Sequence, residues 1–254
     1  MLPPSEGKYH PTRGKAIALD ELTCPELTSA RQVLIDALAH VCERPDAAEI
    51  LGLGPTQAAE IEANLDLLKA PTARADRIYT GVLYDALDSG SQSVNARRRA
   101  ARQLLITSSV FGIVRPADRI PAYRLAGQVS LPDLGGVAAY WRRHVGTSLE
   151  HLAGDRLLVD LRSTTYAGFW RPPAAMADHV ATVRVLQERS GKRTVVSHFN
   201  KATKGRIVRE LLESGQTPRS PAELGDALAD LGWHVELGAP GPGGTRLDVI
   251  VTEL

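Results

Sequence analysis

The chain has 254 residues, a length that suits one large domain or two small ones. Its 30 basic and 29 acidic side chains leave a formal net charge of +1, which excludes a general attraction for polyanions. Any nucleic-acid site must therefore be a local basic patch. Hydrophobic residues make up 43% of the chain, enough to build a substantial core.

The two cysteines, Cys24 and Cys42, match neither a metal-ligand nor a redox spacing, and so few cysteines are typical of a reducing compartment. The start, MLPPSEGKYH, has no apolar core of a signal peptide, and no apolar run approaches the ~20 residues that span a bilayer. We therefore expect a cytoplasmic monomer without a membrane partner. The seven histidines are scattered without paired ligand spacing, so we expect no metal site and no cofactor.

Residues 1–15 are rich in proline, glycine and basic side chains and can bury little, so they lie on the surface or line a site. The candidates there are Ser5, Glu6, Lys8 and Arg13; a mobile basic terminus is the alternative. Apolar residues at helical spacing then predict a helix over Thr28–Cys42.

Residues 46–68 predict two helices joined by Gly52-Leu53-Gly54, with Pro55 in the first turn of the second helix. This pattern resembles a helix-hairpin-helix, whose backbone N–H groups approach a DNA phosphate where a Cβ would block the way. Such contacts read no bases. Glu60 and Glu62 weaken this interpretation, and a helical corner that uses the glycines for close packing is an equal alternative.

Several predicted strands end in polar residues. Ile78-Tyr79 is followed by Thr80-Gly81, residues 104–106 by Ser108-Ser109, and residues 157–161 by Arg162-Ser163 and Tyr166. Since open α/β sheets bind ligands at the carboxyl ends of their strands, these ends can meet in one cleft if one sheet carries them all. The segment 111–124 adds Arg115, Tyr123 and Arg124, whose guanidinium forks fit phosphate or carboxylate, although Asp118 can hold an arginine in a structural pair instead.

The segment 194–212 predicts a buried strand, 194–196, a polar loop and a helix over 202–212. The loop holds Ser197, His198, Asn200 and Lys201, and Lys204 and Arg206 follow on the helix. A helix start attracts anions, so these residues are candidates for an anion site. A solvated basic helix is the alternative.

The remaining pattern includes a strand over 180–186, a helix over 220–231 with a capping box at Ser220 and Glu223, and a final hairpin of strands 233–237 and 247–251. Strands alternating with helices and ending in an antiparallel hairpin predict a mixed α+β fold. We expect a single domain over 1–254 with a central mixed sheet, a helical N-terminal insertion carrying the hairpin element, and a positively charged cleft.

Motifs spread over nearly the whole chain resemble a known family. They are PPSEGK near the start, YTGVLYDAL at 79–87, SSVFGIVRPADRIPAYRL at 108–125, YW at 140–141, LRSTTY at 161–166 and VVSHFNKATKGRIVREL at 195–212. In this order they are similar to the YaaA family of bacterial proteins linked to peroxide stress.

The resemblance implies a protein that limits free intracellular iron during peroxide stress and has an unusual α/β fold with a basic cleft. It also implies binding to double-stranded DNA. The matching positions are Lys8, Arg115, Arg124, Ser197, Lys201 and Lys204 in the cleft, and Gly52-Leu53-Gly54 in the hairpin. Two departures change the charge of the cleft: PPSEGK replaces a SPAKTL-like start and adds Glu6, and Thr165 stands where an acidic residue often precedes the tyrosine.

Two functional hypotheses remain open. The first is non-sequence-specific binding of duplex DNA that limits oxidative damage. Its candidate residues are Ser5, Lys8, Arg13, Gly52, Gly54, Thr80, Gly81, Arg115, Arg124, Asn200, Lys201, Lys204 and Arg206.

The second hypothesis is an enzyme acting on a nucleotide or another small phosphorylated or carboxylated substrate. Its candidate catalytic residues are Lys8, Tyr123, Ser163, Tyr166, Ser197, His198 and Lys201. Direct iron binding ranks last.

Overall fold

A computed structural model of the chain describes residues 1–195 and 197–252, and the side chains of Ser197 and His198 lie outside that description. The helices are α1 (Thr28–Cys42), α2 (Ala47–Leu51), α3 (Ala58–Leu65), α4 (Ala75–Ile78), α5 (Val82–Leu87), α6 (Val94–Gln103), α7 (Val137–His144), α8 (Gly146–Ala153), α9 (Thr164–Ala167), α10 (Ser197–Ser214) and α11 (Pro221–Asp230). The strands are β1 (Ala73–Arg74), β2 (Ile106–Ser108), β3 (Gly112–Val114), β4 (Arg119–Ile120), β5 (Ser130–Leu131), β6 (Gly135–Gly136), β7 (Leu158–Asp160), β8 (Val180–Arg189), β9 (Lys192–Thr194), β10 (His234–Gly241) and β11 (Gly244–Val251). Single 3-10 segments cover Leu19–Glu21, Pro25–Leu27, Pro55–Gln57 and Ala174–His179.

The largest sheet is mixed, which confirms the predicted α+β class. Its strand order is β10-β11-β8-β7, and β9 also pairs with β8. Strands β7, β8 and β11 are parallel, with Leu158 opposite Val180 and Thr245 opposite Ala181. The hairpin partner β10 is antiparallel to β11, as the sequence predicts. The buried residues of β8 and β11 lie at adjacent as well as alternate positions, which fits parallel strands that are covered on both faces.

The first two residues extend this sheet toward β2. The backbone N–H of Leu161 donates to the Met1 carbonyl at 3.0 Å, and the N–H of Leu2 donates to the Leu105 carbonyl at 2.8 Å. The N–H of Thr107 donates to the Leu2 carbonyl at 3.0 Å. Met1 and Leu2 therefore lie between β7 and β2 and are buried. The loop that follows Leu2 therefore begins from a buried, hydrogen-bonded segment, and the alternative of a mobile terminus is wrong.

The predicted polar strand ends do not belong to one sheet. Ser108 ends β2, which forms a two-stranded ribbon with β3 and bridges to Leu2, whereas Arg162 follows β7 of the large sheet itself. Ile78 and Tyr79 were predicted as a strand, but Ile78 ends the single turn α4, and the N–H of Tyr79 donates to the Ala75 carbonyl at 3.0 Å. Local β-propensity is overridden there by tertiary packing, because both side chains are buried in the core.

The segment before α10 also differs from the prediction. Strand β9 is an exposed arm antiparallel to β8, and Val195 is 56% exposed, so the prediction of a buried strand is wrong for the described residues. Val196 lies outside the described residues. The predicted polar loop forms the first turn of α10 instead, because the helix begins at Ser197.

Helices α5 and α10 run parallel at close contact. A Cβ on Gly205 would lie 2.2 Å from the Leu83 carbonyl oxygen, so only glycine allows this approach. One turn further along α10, Arg209 donates through Nη1 to the Asp88 carbonyl at 3.1 Å, just past the end of α5. The two helices therefore run in the same direction, and α10 begins about two turns before the level at which α5 begins.

The predicted helix over Thr28–Cys42 is confirmed as α1, and Leu34, Ile35 and Leu38 are buried on its inner face. The predicted cap of α11 is also confirmed, because Ser220 Oγ accepts a hydrogen bond from the Glu223 N–H at 3.2 Å. Within the described part of the chain, no helix is both long and apolar enough to cross a membrane.

Candidate functional site

The loop over residues 3–9 brings the candidate residues together. The Tyr9 N–H donates to the Ile78 carbonyl at 2.8 Å, and the Thr80 N–H donates to Ser5 Oγ at 3.1 Å. These bonds hold the loop against the start of α5, next to Gly81. We use the name Lys8 cluster for the side chains that meet here, which are Ser5, Glu6, Lys8, Tyr79, Thr80, Tyr123, Arg124 and Tyr166.

Lys8 lies half-buried at the centre of the cluster. Its Nζ is 4.1 Å from the centroid of the Tyr123 ring and donates to the Ser5 carbonyl at 2.8 Å. An ammonium over an aromatic face is attracted by the negative face of the ring. Burial lowers the pKa of Lys8 to about 8, and the nearby Glu6 carboxylate opposes that shift. The amine can therefore gain or lose a proton close to neutral pH.

A chain of hydroxyl groups leads from Lys8 into the core. The Tyr123 hydroxyl lies 3.0 Å from the Tyr79 hydroxyl and 2.9 Å from Ser108 Oγ. Ser108 Oγ also accepts from the Phe111 N–H at 3.0 Å. Burial raises the pKa of Tyr79 and of Tyr123, so both phenols stay protonated at neutral pH. They act as hydrogen-bond donors and not as anions.

Glu6 connects two sides of the cluster. Arg124 Nη1 lies 3.2 Å from one oxygen of the Glu6 carboxylate, and the Tyr166 hydroxyl donates to the other oxygen at 3.4 Å. Arg124 is oriented by Asn64 of α3, which exchanges hydrogen bonds of 2.8 and 2.9 Å with its backbone. The buried Nε of Arg124 has no partner in the described structure. Glu6 thus neutralises part of the positive charge predicted here.

The basic residues of α10 divide into two kinds. Lys204 is buried and donates through Nζ to the Leu161 carbonyl at 3.0 Å, and burial lowers its pKa to about 8. This lysine fastens α10 to the end of β7. Lys201 and Arg206 are exposed, and Asn200 is half-buried with an unpartnered Oδ1. The predictions for the side chains of Ser197 and His198 lie outside the described residues.

A buried ion pair, which was not predicted from the sequence, lies next to the cluster and contacts the backbone of Tyr166. Arg162 Nη2 lies 2.8 Å from Asp160 Oδ2, and both side chains are buried. Arg162 also donates to the Tyr166 carbonyl and to the Trp170 carbonyl, each at 3.0 Å. Burial raises the pKa of Asp160, but the bonds and charge of Arg162 outweigh it and leave that pKa below its ordinary value. An aspartate inside an apolar strand, two residues before an arginine, was the available signal.

Three predicted residues lie apart from the Lys8 cluster. The Arg115 guanidinium donates to the Arg102 carbonyl at the end of α6, and the Arg115 N–H, not its side chain, donates to Asp118 at 2.9 Å. Arg13 is exposed. Ser163 is exposed in front of the short helix α9. The structure therefore joins Lys8 and Arg124 but separates Arg115 from them.

The glycine turn between α2 and α3 keeps most of its N–H groups for itself. Gly52 has a φ of +64°, and the space where its Cβ would lie is open. However, the Leu53 N–H donates to the Ala48 carbonyl at 2.8 Å, and the Gly54 N–H donates to Gln57 Oε1 at 3.1 Å. A phosphate at this turn would have to displace Gln57.

Among the side chains that the structure describes, those of residues 1–195 and 199–252, no three His, Cys, Asp or Glu come close enough to share a metal ion. The fold and the site define a mixed α+β protein with a lysine held over tyrosine rings beside the start of helix α5.

The chain belongs to the family described as peroxide stress protein YaaA, whose model matches residues 1–236. A UPF0246 protein of Streptomyces coelicolor is 49% identical over 258 residues, which cover 100% of this chain and 98% of the relative. A UPF0246 protein of Corynebacterium efficiens is 38% identical over 93% of this chain and 94% of its own length. A third, from Corynebacterium glutamicum strain R, is 36% identical over the same shares. The family predicted from the sequence motifs is therefore confirmed.

Proposed function

We propose that this YaaA-family protein binds the phosphate backbone of duplex DNA through the Lys8 cluster and the exposed cations of α10, and thereby limits oxidative damage to DNA. The observation that supports this proposal most directly is that α5 and α10 pack in parallel, and that the loop with Lys8 is bonded to the start of α5. The first turns of α10, at the positive end of its dipole, therefore point in the same direction as the start of α5. Lys201 adds an exposed ammonium on the first turns of α10.

The chemistry of this surface suits phosphate contacts that carry no sequence information. Lys8 and Lys201 supply charge, and the hydroxyl of Ser5 and the backbone of Gly81 supply polar contacts nearby. A Cβ on Gly81 would meet nothing within 4 Å, so the backbone there is open to approach. The proposal relies on this surface and not on the glycine turn at 52–54, whose N–H groups are used internally.

Fluorescence anisotropy with a labelled duplex tests the proposal. Affinity should fall as salt rises, with a slope of log K against log salt of about −0.9 for each phosphate contacted. Lys201→Ala should weaken binding and make the slope shallower by about one contact. Lys69→Ala is the matched control, because Lys69 is an exposed lysine with 86% of its side chain accessible. Binding that ignores salt, or equal affinities for Lys201→Ala and wild type, would contradict the proposal.

A second candidate function is an enzyme for a small phosphorylated or carboxylated substrate. The observation that favours it is the arrangement of proton donors and acceptors around Lys8, whose pKa is about 8 and whose ring contact, Tyr123, leads into a hydroxyl chain. Thermal shift with a panel of nucleotides tests it on wild type and on Lys8→Met. A shift that Lys8→Met abolishes supports an enzyme; DNA binding without any such shift supports the first proposal alone.

A further inference from the structure

A cavity of about 530 Å³ lies between the β7 end of the large sheet and the helices α10 and α11. Its walls are mainly aliphatic and include Leu104, Leu158, Val208, Leu211 and Leu224. Small-molecule sites in proteins are concave, mostly apolar, and span about 300–1,000 Å³. The cavity therefore has the size and lining of a small-molecule site.

This cavity is separate from the Lys8 cluster along α10. Val208 follows the buried Lys204 by one helical turn, and Leu211 and Leu212 come after it on the same side. At a rise of 1.5 Å per residue, Val208 lies about 10 Å along the axis from Lys201. None of the residues that form the Lys8 cluster lines the cavity.

Four arginines lie in the lining of this cavity, beside its aliphatic residues and the polar Gln103, Gln216 and Thr217. The arginines are Arg102, Arg115, Arg156 and Arg219. In the part of the chain that the structure describes, none of them forms an ion pair with a carboxylate. A single acidic residue, Asp155, joins them. The site thus combines aliphatic walls with an excess of positive charge, and we call it the arginine-rimmed pocket.

Two of the guanidinium groups are held in place by backbone carbonyls. Arg115 Nη1 donates to the Arg102 carbonyl at the end of α6. Arg156 donates through Nε to the Ala153 carbonyl at 3.2 Å and through Nη2 to the Leu152 carbonyl at 2.5 Å. Neutral carbonyls orient these groups without cancelling their charge. Arg102 and Arg219 are exposed and can move toward a ligand.

We propose that the arginine-rimmed pocket binds an amphipathic monocarboxylate with an unbranched hydrocarbon chain, of the fatty-acid type. The chain lies against the leucine and valine walls, where burial of apolar surface favours it. The carboxylate meets the arginines, whose planar fork fits two carboxylate oxygens. A purely polar phosphate would leave the walls unused, and a neutral hydrocarbon would leave the arginines unused.

Isothermal titration of the full chain with dodecanoate, below the concentration at which it forms micelles, tests the proposal. Wild type should bind one dodecanoate saturably, and methyl dodecanoate, which has the chain without the charge, should bind at least about tenfold more weakly. The double substitution Arg102→Gln and Arg219→Gln should weaken dodecanoate binding by about tenfold or more. Lys69→Gln, which removes an exposed charge elsewhere, should leave it unchanged.

A second variant tests the walls of the pocket. Leu211→Trp fills the space and should abolish binding of dodecanoate while leaving the melting temperature close to that of wild type. If this variant does not fold, the arginine substitutions still decide, because both side chains are exposed. No saturable binding to wild type overturns the proposal. Equal binding of the acid and its methyl ester, with no effect of the arginine substitutions, overturns it as well.

Discussion

The Lys8 cluster and the arginine-rimmed pocket are both rich in cations, but their cationic side chains have different partners. In the cluster, Lys8 lies over a tyrosine ring and Arg124 is paired with Glu6. In the pocket, the described arginines contact only carbonyls or solvent and stand above aliphatic walls. The comparison shows that a count of basic residues does not define a binding site. Their partners decide whether a polar phosphate or an amphipathic anion fits.

Helix α10 lines the pocket and packs against α5, the helix that begins next to the Lys8 cluster. Lys204, Val208 and Leu212 recur at a spacing of four residues, so they lie on one face of the helix. Lys204 fastens that face to the Leu161 carbonyl, and Leu161 also lines the pocket. Strand β7 and its ion pair therefore lie next to both regions. Removing the ion pair is the first substitution to test.

Removing the buried ion pair should have the largest effect. Arg162→Ala leaves Asp160 charged and buried without its partner, and we expect a loss of about 3–5 kcal/mol in the free energy of unfolding. Urea denaturation measures it. Arg184→Ala, which breaks the partly exposed pair with Asp248, is the matched control and should cost less than about 1 kcal/mol. Similar losses in the two variants would show that Arg162 is not the support of both regions.

Gly205→Ala should act on the Lys8 cluster more than on the pocket, because the added Cβ would push α10 away from α5. We expect a loss of about 1–3 kcal/mol, although alanine otherwise favours a helix over glycine by about 1 kcal/mol. Gly225→Ala in α11 is the matched control. Its Cβ would meet the end of the half-exposed Leu237 side chain, which can move, so we expect no loss. Urea denaturation and DNA anisotropy on both variants check this.

The lowered pKa of Lys8 predicts a smaller effect, with opposite signs for binding and stability. As pH rises through about 8, Lys8 loses its charge, and DNA affinity should fall. Stability should rise over the same range toward pH 10, because the amine of the unfolded chain keeps the ordinary pKa of 10.5. Glu6, Arg124 and Glu60 are the charges that act on it. Lys8→Arg keeps its charge, so anisotropy between pH 7 and 9 should then show a flat profile; an unchanged fall would assign the titration to another group.

The sequence predicted those elements whose cause is local. Helix α1 follows from apolar spacing, α11 from the cap at Ser220, and β8 from its alternating residues. The sequence could not predict that Met1 and Leu2 enter the sheet, since their partners Leu105 and Leu161 lie more than 100 residues away. The first turn of α10 was missed because polar residues at 197–201 resemble a loop unless the neighbouring helix is known.

The candidate site shows the same limit. From the sequence, Lys8, Tyr123 and Tyr166 were candidate catalytic residues, and Lys8 and Arg124 were candidate anion-binding residues. The structure brings these four side chains together. The sequence could not show that Arg115 lies apart from the Lys8 cluster. An arginine that donates to the end of α6 has the same sequence pattern as one that faces a ligand. Asn64 was overlooked, since its role depends on a backbone 60 residues away.

The most direct test of the proposed division compares DNA affinity in Lys8→Ala and Arg115→Gln by fluorescence anisotropy at one low salt concentration. Each variant removes one positive charge, and of the two residues only Lys8 lies beside the start of α5. We predict that Lys8→Ala weakens binding by about tenfold, whereas Arg115→Gln binds DNA like wild type. Equal loss in both variants, or loss only in Arg115→Gln, would contradict the assignment of DNA binding to the Lys8 cluster.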